Sequence, residues 1–450
     1  MLEHLTLENF KSWRHAAVSL SAITGLFGTN SSGKTSLLQF LLLLKQTKEA
    51  TDRAVSLDLN GMYVRLGVYR DAIFMHDDSC ALKWALQFSS DRDVVLFDPA
   101  GHRTTPLARA GSLTTRGEVQ SKDQAPVATR LEYVIDQMRF ALVPKGTGDA
   151  SFELIAEGSE FRFIRTQGRP WQLPGPIKSY AFPDQARTYF QNASFLSDLE
   201  VAYESQIDRL YYLGPLREYP QRDYLWARSK PQDVGIKGEK AIDAILAATV
   251  AGETRNLSVR ARHKPFQEMV AYWLRHMGLI DDFRVEEIAQ GSNRWQAKVR
   301  TRPGAPEALL TDVGFGVSQV LPVVTLLQYV PPGSTVILEQ PEIHLHPLAQ
   351  AGLADVIINA ATHRRVQIIL ESHSEHLLLR LQRRIAENEM PSSKVRLYFS
   401  NISEGSSQLE ELRLDMFGVI ENWPSNFMGD AFGETYAAEE ARLRRLAAAE

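Results

Sequence analysis

The sequence is poor in cysteine, in long apolar runs and in net charge. Cys80 is the one cysteine among 450 residues, which excludes a disulfide within the chain and a zinc hook or finger built from cysteines. The most apolar stretch, residues 37–44, is interrupted by Gln39 and is far shorter than the roughly 20 residues that cross a bilayer. The N-terminus has no basic segment followed by an apolar one, so we expect a cytoplasmic protein without a membrane segment.

The near absence of net charge restricts the class of protein further. Lysine and arginine number 50 against 54 aspartate and glutamate, a formal charge of −4, and 44% of the residues are hydrophobic. This balance argues against disorder and against a protein that binds nucleic acid by overall positive charge. A local patch is present in Arg255, Arg260, Arg262, His263 and Lys264. It is either a groove for nucleic-acid phosphates or a solvated helix face, and the acidic residues that follow at 281–287 favour the second.

The strongest motif lies at residues 28–35, which match the pattern G-x-x-x-x-G-K-[ST]. Residues 22–27 before it are typical of a short buried strand, and residues 36–45 after it are typical of a helix. In such a loop the backbone N–H groups surround phosphates, the lysine reaches the β and γ oxygens, and the Thr hydroxyl binds Mg²⁺. The predicted binding residues are Asn30, Ser31, Ser32, Gly33, Lys34, Thr35 and Ser36, with Thr35 on the metal.

The segment before this loop indicates a narrower class. Residues 4–13 predict a strand running into a turn and contain Leu5, Asn9, Phe10 and Lys11 in the pattern L-x-x-x-N-F-K. This opening, closely followed by G-x-N-x-x-G-K-T, resembles the ABC-type ATPases of the SMC, RecF and OLD groups, with Asn30 at their usual asparagine. The resemblance implies an α/β fold, namely a P-loop mixed sheet with an antiparallel β-subdomain and a helical insertion, and ATP with Mg²⁺ as ligands.

A second apolar strand with an acidic end lies at residues 334–342 and continues to Pro347. It resembles the D-E-P-E-x-x-L-H-P element of OLD-like ATPases, with two departures. Glu339 replaces the aspartate that holds the Mg²⁺ water shell, and Gln340 replaces the glutamate that polarises the attacking water. Glu339 is therefore the expected second metal ligand, whereas the Gln340 amide orients water but accepts no proton.

This departure predicts slow hydrolysis or a different base. The candidate bases are Glu342 and His373. His373 follows the apolar strand 366–371 and is similar to the switch histidine that senses the γ-phosphate in ABC ATPases. The predicted catalytic set is thus Glu339, Gln340, Glu342 and His373. His344 and His346 are interpreted as a turn that leads into a helix, since no cysteine or third histidine adjoins them as a metal ligand.

A glycine-rich turn at residues 311–318 precedes an apolar helix, at the position of the ABC signature motif. The resemblance implies that Gly314, Gly316 and Ser318 bind the γ-phosphate of nucleotide held by a second subunit, although the match to L-S-G-G-Q is degenerate. An ordinary strand-to-helix turn is the alternative. The signature interpretation predicts a head-to-tail homodimer, or a higher oligomer, around two ATP molecules.

The interval between these motifs lacks the heptad repeat of a coiled-coil arm. Alternating apolar residues at 82–97 and 131–166, including 160–164, predict antiparallel strands, with a polar loop at 99–125 between them. Residues 182–210 predict helices and residues 238–277 two more.

Residues 211–220 resemble a Y-[IL]-G-P-x-R-x-x-P segment of the same ATPases. Arg217 within it has two interpretations, a phosphate or subunit contact and a structural salt bridge.

The C-terminal part predicts a strand at 409–415 and a charged helix at 434–450. Residues 418–428 resemble the end of an uncharacterised C-terminal domain of bacterial AAA-type ATPases, and no Toprim nuclease is visible. We therefore divide the chain into two parts of an ATPase head (1–100 and 301–400), a strand and helix insertion (101–300) and a C-terminal extension (401–450).

The resemblance implies a dimeric ATP-dependent switch, acting in bacterial anti-phage defence with a separate nuclease or toxin effector. Two other functions stay open: a RecF-like repair ATPase that binds DNA directly, and a scaffold with bound but unhydrolysed ATP.

Overall fold

The computed structural model describes residues 1–101, 106–146, 151–168, 172–258 and 260–424, and residues 437, 438, 440–442 and 445 near the C-terminus. Its strands are β1 (Leu2–Phe10), β2 (Trp13–Ser19), β3 (Ile23–Gly28), β4 (Leu82–Leu96), β5 (Ala108–Lys122), β6 (Ala125–Ile135), β7 (Met138–Pro144), β8 (Phe152–Glu157), β9 (Leu210–Leu213), β10 (Tyr224–Leu225), β11 (Thr254–Arg255), β12 (Lys264–Pro265), β13 (Asp282–Glu287), β14 (Arg294–Arg300), β15 (Ala308–Leu309), β16 (Thr335–Glu339), β17 (Gln367–Glu371), β18 (Val395–Ser403) and β19 (Ser406–Leu412). The helices are α1 (Lys34–Glu49), α2 (Tyr69–Ala72), α3 (Asp184–Tyr189), α4 (Leu196–Asp208), α5 (Ala241–Val250), α6 (Phe266–His276), α7 (Phe315–Tyr329), α8 (Pro347–His363) and α9 (Glu375–Ala386).

The first sheet is mixed and has the strand order β19-β18-β3-β17-β16-β9. All neighbours pair in parallel except β18 and β19, which form an antiparallel hairpin. Strand β17 lies between β3 and β16, and its register places Glu371 opposite both Leu26 and Glu339. Because the carboxyl ends of parallel strands meet at one edge, the loop after β3 and the acidic ends of β16 and β17 come together there.

This mixed sheet lies between two hydrophobic cores, which explains its nearly continuous apolar strands. Along β16, Val336 and Leu338 face a core built with α5, α6, α7 and α8, whereas Ile337 faces the other core. The second core contains α1, α4 and the inner face of the second sheet. The α/β fold class predicted from the sequence, a P-loop mixed sheet with an antiparallel β-subdomain and helices between its two halves, is confirmed.

The second sheet is antiparallel, with the order β2-β1-β4-β5-β6-β7-β8. The polar loop predicted at 99–125 is wrong for Ala108–Lys122, which forms β5 and pairs with both β4 and β6. Its burial alternates along the strand, with Leu113, Thr115 and Val119 buried and the charged Arg109 and Arg116 exposed. A strand with few large apolar residues is stabilised there by two neighbours, a contribution that is not visible in its own sequence. Residues 102–105 lie outside the described part.

The strand predicted at 160–164 is also wrong. The Asn192 side chain makes the hydrogen bonds that a neighbouring strand would otherwise make. Its Oδ1 accepts from the Ile164 N–H at 2.9 Å, and its Nδ2 donates to the Arg162 carbonyl at 3.0 Å. The alternating Phe161 and Phe163 instead pack edge to face on each other within an aromatic cluster of the second core. Alternation there reflects burial of two rings, not sheet pairing.

The remaining predicted elements are found within one to a few residues of their expected positions. The helix expected at 434–450, and residues 425–428 of the C-terminal motif, lie largely or wholly outside the described residues. Among the helices that the structure describes, none has both the length and the apolar character that crossing a bilayer requires.

Candidate nucleotide-binding site

The loop between β3 and α1 has a backbone that glycine makes accessible. Gly28 has φ +136°, and a Cβ there would lie 2.0 Å from the Ser400 carbonyl oxygen of β18. Gly33 has φ +91° and caps α1, and a Cβ there would lie 2.7 Å from the indole nitrogen of Trp13. Side chains at either position would therefore displace backbone or ring atoms, and the tight loop depends on both glycines.

The carbonyl groups of the loop accept hydrogen bonds from side chains packed behind it. Trp13 Nε1 donates to the Gly33 carbonyl at 2.9 Å, and Ser400 Oγ donates to the Ser32 carbonyl at 2.6 Å. The Ser32 hydroxyl is buried and donates to the Thr29 carbonyl at 2.8 Å. Helix α1 starts without a capping side chain and without an acidic residue in its first turn. No side chain therefore competes with an anion for the N–H groups at this end, although those of Ser32 and Ser36 already donate to the Thr29 and Gly33 carbonyls.

Lys34 is buried beneath the loop. Its Nζ donates to the Gly28 carbonyl at 3.1 Å and to the Thr29 carbonyl at 2.7 Å. Burial lowers the pKa of Lys34, and the nearby Glu371 carboxylate opposes that shift. Asn30 and Ser31 are exposed at the rim, and Thr35 and Ser36 are half-buried at the start of α1.

Thr35 contacts a different carboxylate from the one expected. Its hydroxyl donates to Glu371 Oε2 at 2.7 Å, whereas the sequence interpretation pairs Thr35 with Glu339. Glu339 Oε1 instead accepts from the Tyr212 hydroxyl of β9 at 2.9 Å. The reason is the strand order, because β17 is the neighbour of β3 and β16 is one strand further away.

Glu339 lies in a strongly desolvated environment. Its pKa is raised to about 7, mainly by burial and also by the Glu371 charge, while the Tyr212 hydrogen bond and the Arg217 charge oppose the shift. Arg217 Nη2 donates to the Glu339 carbonyl at 3.4 Å, and burial lowers the Arg217 pKa to about 10. Arg217 Nε and Nη1 have no hydrogen-bond partner among the described residues. Arg217 therefore supplies positive charge beside the site without a complete structural ion pair.

Glu342 orients the turn that carries His373. Its Oε1 accepts from Ser372 Oγ at 2.8 Å and from the His373 N–H at 2.7 Å, and burial raises its pKa. The His373 side chain reaches the surface. Loss of solvent around part of its ring and the Lys34 charge both lower its pKa. Gln340 has φ +44° and donates its backbone N–H to the Glu371 carbonyl at 2.9 Å. The four predicted catalytic residues thus surround the ends of β16 and β17.

The predicted signature residues lie at the N-terminus of α7. Gly314 caps the helix, and a Cβ there would meet nothing within 4 Å. Phe315 is 39% exposed and packs against Tyr219 and His344, with ring centroids 5.5 and 5.0 Å away. Gly316 lies against the His344 carbonyl. Ser318 is buried and donates its hydroxyl to the Phe315 carbonyl at 2.8 Å, so it points back into its own helix.

The two histidines after β16 have other contacts. His344 packs on Phe315, and a ring nitrogen of His346 accepts from the Leu348 N–H at 3.4 Å and caps α8. Within the described segments, no group of three or more histidine, cysteine, aspartate or glutamate side chains is arranged to hold a metal ion. Mg²⁺ needs no such group when phosphates supply further ligands, and the Thr35 hydroxyl with a facing carboxylate fits it.

The basic stretch is partly neutralised. Arg255 pairs with Glu253 at 2.7 Å and donates to the Gln328 carbonyl at 2.7 Å, and Lys264 pairs with Glu268 at 2.6 Å. Arg260 and Arg262 are exposed.

Sequence reasoning missed the contributions of Glu371, Tyr212 and Trp13. The signal for Glu371 was present, because residues 367–371 repeat the pattern of an apolar strand ending in a carboxylate that marks β16. Tyr212 and Trp13 give no local signal, since their partners are distant along the chain.

In the mixed sheet, β17 separates β3, which leads into the phosphate-binding loop, from β16, which ends in Glu339. A phosphate-binding loop with this strand order defines a P-loop ATPase head. Two family models match the chain. Residues 1–91 match the family described as "AAA ATPase domain", and residues 193–380 match "AAA domain, putative AbiEii toxin, Type IV TA system". The two matched regions, both described as AAA domains, are separated along the sequence.

Comparison with curated protein sequences found no match. Three solved structures resemble the chain at low identity. An SMC head bound to the C-terminal winged-helix domain of ScpA is 12% identical, with a TM-score of 0.46 over 92% of this chain and 98% of that one. The SMC head domain from Thermotoga maritima is 11% identical, with a TM-score of 0.43 over 92% and 99%. An SMC head with an extended coiled coil, bound to the C-terminal domain of ScpA derived from Pyrococcus furiosus, is 11% identical, with a TM-score of 0.47 over 92% and 96%.

Proposed function

We propose that this protein is an ATP-dependent dimeric switch whose nucleotide-bound state is prolonged by slow hydrolysis. The observation that carries the proposal is the set of hydrogen bonds that the carboxylates around Gln340 accept. Glu371 already accepts from Thr35, Glu339 from Tyr212, and Glu342 from both Ser372 and the His373 backbone. An amide stands where the resemblance places a base. Each neighbouring carboxylate accepts its hydrogen bonds through one oxygen, and Glu342 Oε2 has no partner among the described residues.

His373 and Glu342 are the two candidate bases at this edge. The lowered pKa of His373 keeps the imidazole neutral at pH 7, so it accepts a proton, but it is a weaker base than an unperturbed histidine. General-base catalysis typically contributes 10²–10⁴-fold to rate, so its impairment slows the chemical step substantially. Bound Mg²⁺ would neutralise phosphate charge at this step, with Thr35 and a carboxylate as its protein ligands.

The N-terminus of α7 supports dimerisation around ATP. This end is open around Gly314, and the aromatic side chains of Phe315 and Tyr219 beside it are exposed, Tyr219 by 74%. A helix N-terminus binds phosphate through its free N–H groups, and exposed aromatic rings are frequent at protein interfaces. We therefore propose that Gly314 and Gly316 contact the γ-phosphate of ATP held by a second copy of the chain. Ser318 would do so only after its hydroxyl turns away from the Phe315 carbonyl.

We propose a sensing role in bacterial anti-phage defence, with a separate nuclease or toxin as effector. The support is the sequence resemblance to OLD-like ATPases and the family description that mentions a toxin–antitoxin system. A RecF-like DNA contact is the weaker alternative, since two of the basic residues on which it depends, Arg255 and Lys264, pair with glutamates.

The test compares wild type with Gln340→Glu. We expect the variant to release phosphate from ATP at least about tenfold faster, because it regains a carboxylate base. We also expect its ATP-dependent dimer, followed by light scattering, to dissociate sooner. Gln340→Asn is the matched control, which keeps the amide and is expected to show no increase.

Equal rates for wild type and Gln340→Glu would contradict the proposed origin of slow hydrolysis. Retained nucleotide without phosphate release in either protein would favour the scaffold function. DNA affinity that falls with salt and is lost after charge reversal at Arg260, Arg262 and Lys264 would favour the RecF-like function.

A further inference from the structure

We infer that the outer edge of β8 binds an extended acidic peptide of a partner protein, which adds a strand to the antiparallel sheet. The site consists of the backbone edge of β8, a cavity beside it and the basic side chains around that cavity. It contains none of the residues of the nucleotide-binding site, so the inference does not depend on the proposed ATP-driven switch.

Strand β8 ends the antiparallel sheet, and β7 is its one partner there among the strands that the structure describes. The Phe152 N–H points away from β7, because it donates to the Leu173 carbonyl at 2.9 Å. In an antiparallel strand the N–H and C=O of one residue point the same way, and this direction alternates from residue to residue. The groups of Leu154 and Ala156 therefore also point away from β7. In the described segments neither residue has a backbone hydrogen bond on that side.

A cavity of about 840 Å³, a size typical of ligand pockets, lies along this edge. Residues 152–156 line one side of it, and residues 165–168 and α3 line the other. Successive side chains of a strand point to opposite faces, so a surface lined by consecutive residues of β8 is the backbone edge itself. Leu154, Leu173 and Phe190 are buried among the lining residues. The cavity thus offers free backbone groups and apolar contacts together, the combination that strand addition uses.

The rim of this cavity is basic. Lys145, Arg162 and Arg165 are exposed there, and Glu153 is the one carboxylate among the lining residues that the structure describes. This excess of cations gives the rim a positive potential, which favours a peptide with acidic side chains. Single-stranded nucleic acid would suit the charge and the aromatic rings, but it does not match the regular spacing of a strand edge. The combined chemistry therefore favours an acidic peptide.

The two arginines keep their charge available for a ligand. Arg162 Nη1 donates to the Ser159 and Phe161 carbonyls at 3.0 and 2.7 Å, and the Arg165 guanidinium lies 6.0 Å from the Phe190 ring centroid. These neutral partners orient both side chains without neutralising them. An acidic peptide therefore gains charge-assisted hydrogen bonds without displacing a carboxylate of the described residues.

The experiment measures binding of a fluorescein-labelled octapeptide of alternating valine and glutamate to the full chain by fluorescence polarisation. Valine favours the extended conformation that the edge requires. We expect binding at least about tenfold tighter than that of the same peptide with lysine in place of glutamate. Methylation of the valine nitrogens, or of the glutamate nitrogens, removes one set of backbone donors. At least one of these two methylated peptides should bind about tenfold more weakly.

Charge reversal on the protein supplies the matched comparison. The double variant Arg162→Glu/Arg165→Glu should weaken binding of the acidic octapeptide at least about tenfold. The control is Arg260→Glu/Arg262→Glu, which makes the same change in net charge at exposed arginines outside this cavity. Its affinity should stay within about twofold of wild type, and thermal unfolding of both variants checks that they are folded.

Hydrogen exchange with the octapeptide bound gives a direct second readout. The Leu154 and Ala156 amides should exchange more slowly, whereas those of Glu153 and Ile155, which point towards β7, should change little. Equal protection of all four amides would contradict strand addition.

Other results would overturn the inference. These are failure of the acidic octapeptide to bind wild type, equal affinity for the two double variants, and unchanged binding of both methylated peptides. Displacement of the octapeptide by oligodeoxythymidylate, with loss of oligonucleotide binding in Arg162→Glu/Arg165→Glu, would assign the cavity to nucleic acid instead. Weaker self-association of that variant in light scattering would identify a second copy of the chain as the occupant.

Discussion

The buried glutamate of the antiparallel sheet and those at the carboxyl edge of the mixed sheet differ in their proton affinity. Glu132 of the antiparallel sheet is 3% exposed, and Glu339 of the mixed sheet is 7% exposed. Burial tends to raise the pKa of both. At Glu132, hydrogen bonds from Arg139 and Arg130 outweigh burial and lower the pKa to about 2. At Glu339 burial prevails, and the pKa rises to about 7.

The supply of cations explains this difference, since burial is similar. Glu371 and Glu342 also have raised pKa values, and burial is the main cause at both. Asp355 of α8 shows that the difference is not one between the two halves of the molecule. Despite its burial, His276, Arg384 and Arg380 lower its pKa to about 2. The buried acids that lack full ion pairs therefore gather at the edge where a metal and phosphates are expected, which is typical of a functional site.

The largest expected change in stability follows from replacing Glu132, the buried glutamate that is fully paired with arginines. We expect Glu132→Gln to lower the free energy of unfolding at pH 7 by about 2–3 kcal/mol, since it leaves three arginines without their shared carboxylate. The folded pKa is depressed, so the contribution of Glu132 is present above about pH 4.3 and is lost as the pH falls through about 2. Urea denaturation checks the value.

Glu157→Gln is the control for this measurement. Glu157 also pairs with Arg139, but its side chain is 60% exposed, so we expect a loss below about 1 kcal/mol. Equal losses for both variants would show that burial does not distinguish the two pairs.

A smaller effect of opposite sign is expected at Glu339. Its folded pKa is raised, so its contribution to stability is full below about pH 4.3 and is lost as the pH rises through about 7. Glu339→Gln removes this loss, and we expect the variant to be about 1–2 kcal/mol more stable than wild type at pH 8 and similar at pH 4. Thermal unfolding across this pH range is the measurement. A variant less stable than wild type at pH 8 would contradict the contrast between Glu339 and Glu132, because Glu339 would then be a paired structural carboxylate.

The smallest effect is expected at Arg217, the incompletely paired arginine of the mixed sheet. We expect Arg217→Met to change the free energy of unfolding by less than about 1 kcal/mol at pH 7, because two of its buried guanidinium nitrogens have no partner in the described part of the chain and gain little from burial. Arg139→Met is the matched variant from the other sheet, where the guanidinium bonds both Glu132 and Glu157. Its loss should be clearly larger, and equal losses in urea denaturation would show that Arg217 is a structural ion-pair residue.

Local sequence predicted the parts of the site that depend on neighbours along the chain. The loop 28–35, the helix after it and the apolar strands before Glu339 and Glu371 have residue types that specify their own geometry. The helix start at Pro347 was predictable for the same reason, since proline is favoured in the first turn. The predictions were wrong where residues distant along the chain determine the structure, namely in β5 and in residues 160–164, which contact Asn192.

What the sequence by itself determined is therefore the class of protein and the identity of its phosphate loop, because glycine conformation, lysine charge and strand periodicity are local properties. Tertiary structure decided which carboxylate meets Thr35, which hydroxyl binds Glu339, and that Ser318 faces its own helix. The physical reason is that side-chain periodicity specifies that a strand forms but not which strand lies beside it. The insertion of β17 between β3 and β16 places Glu371 against the loop and leaves Glu339 with Tyr212.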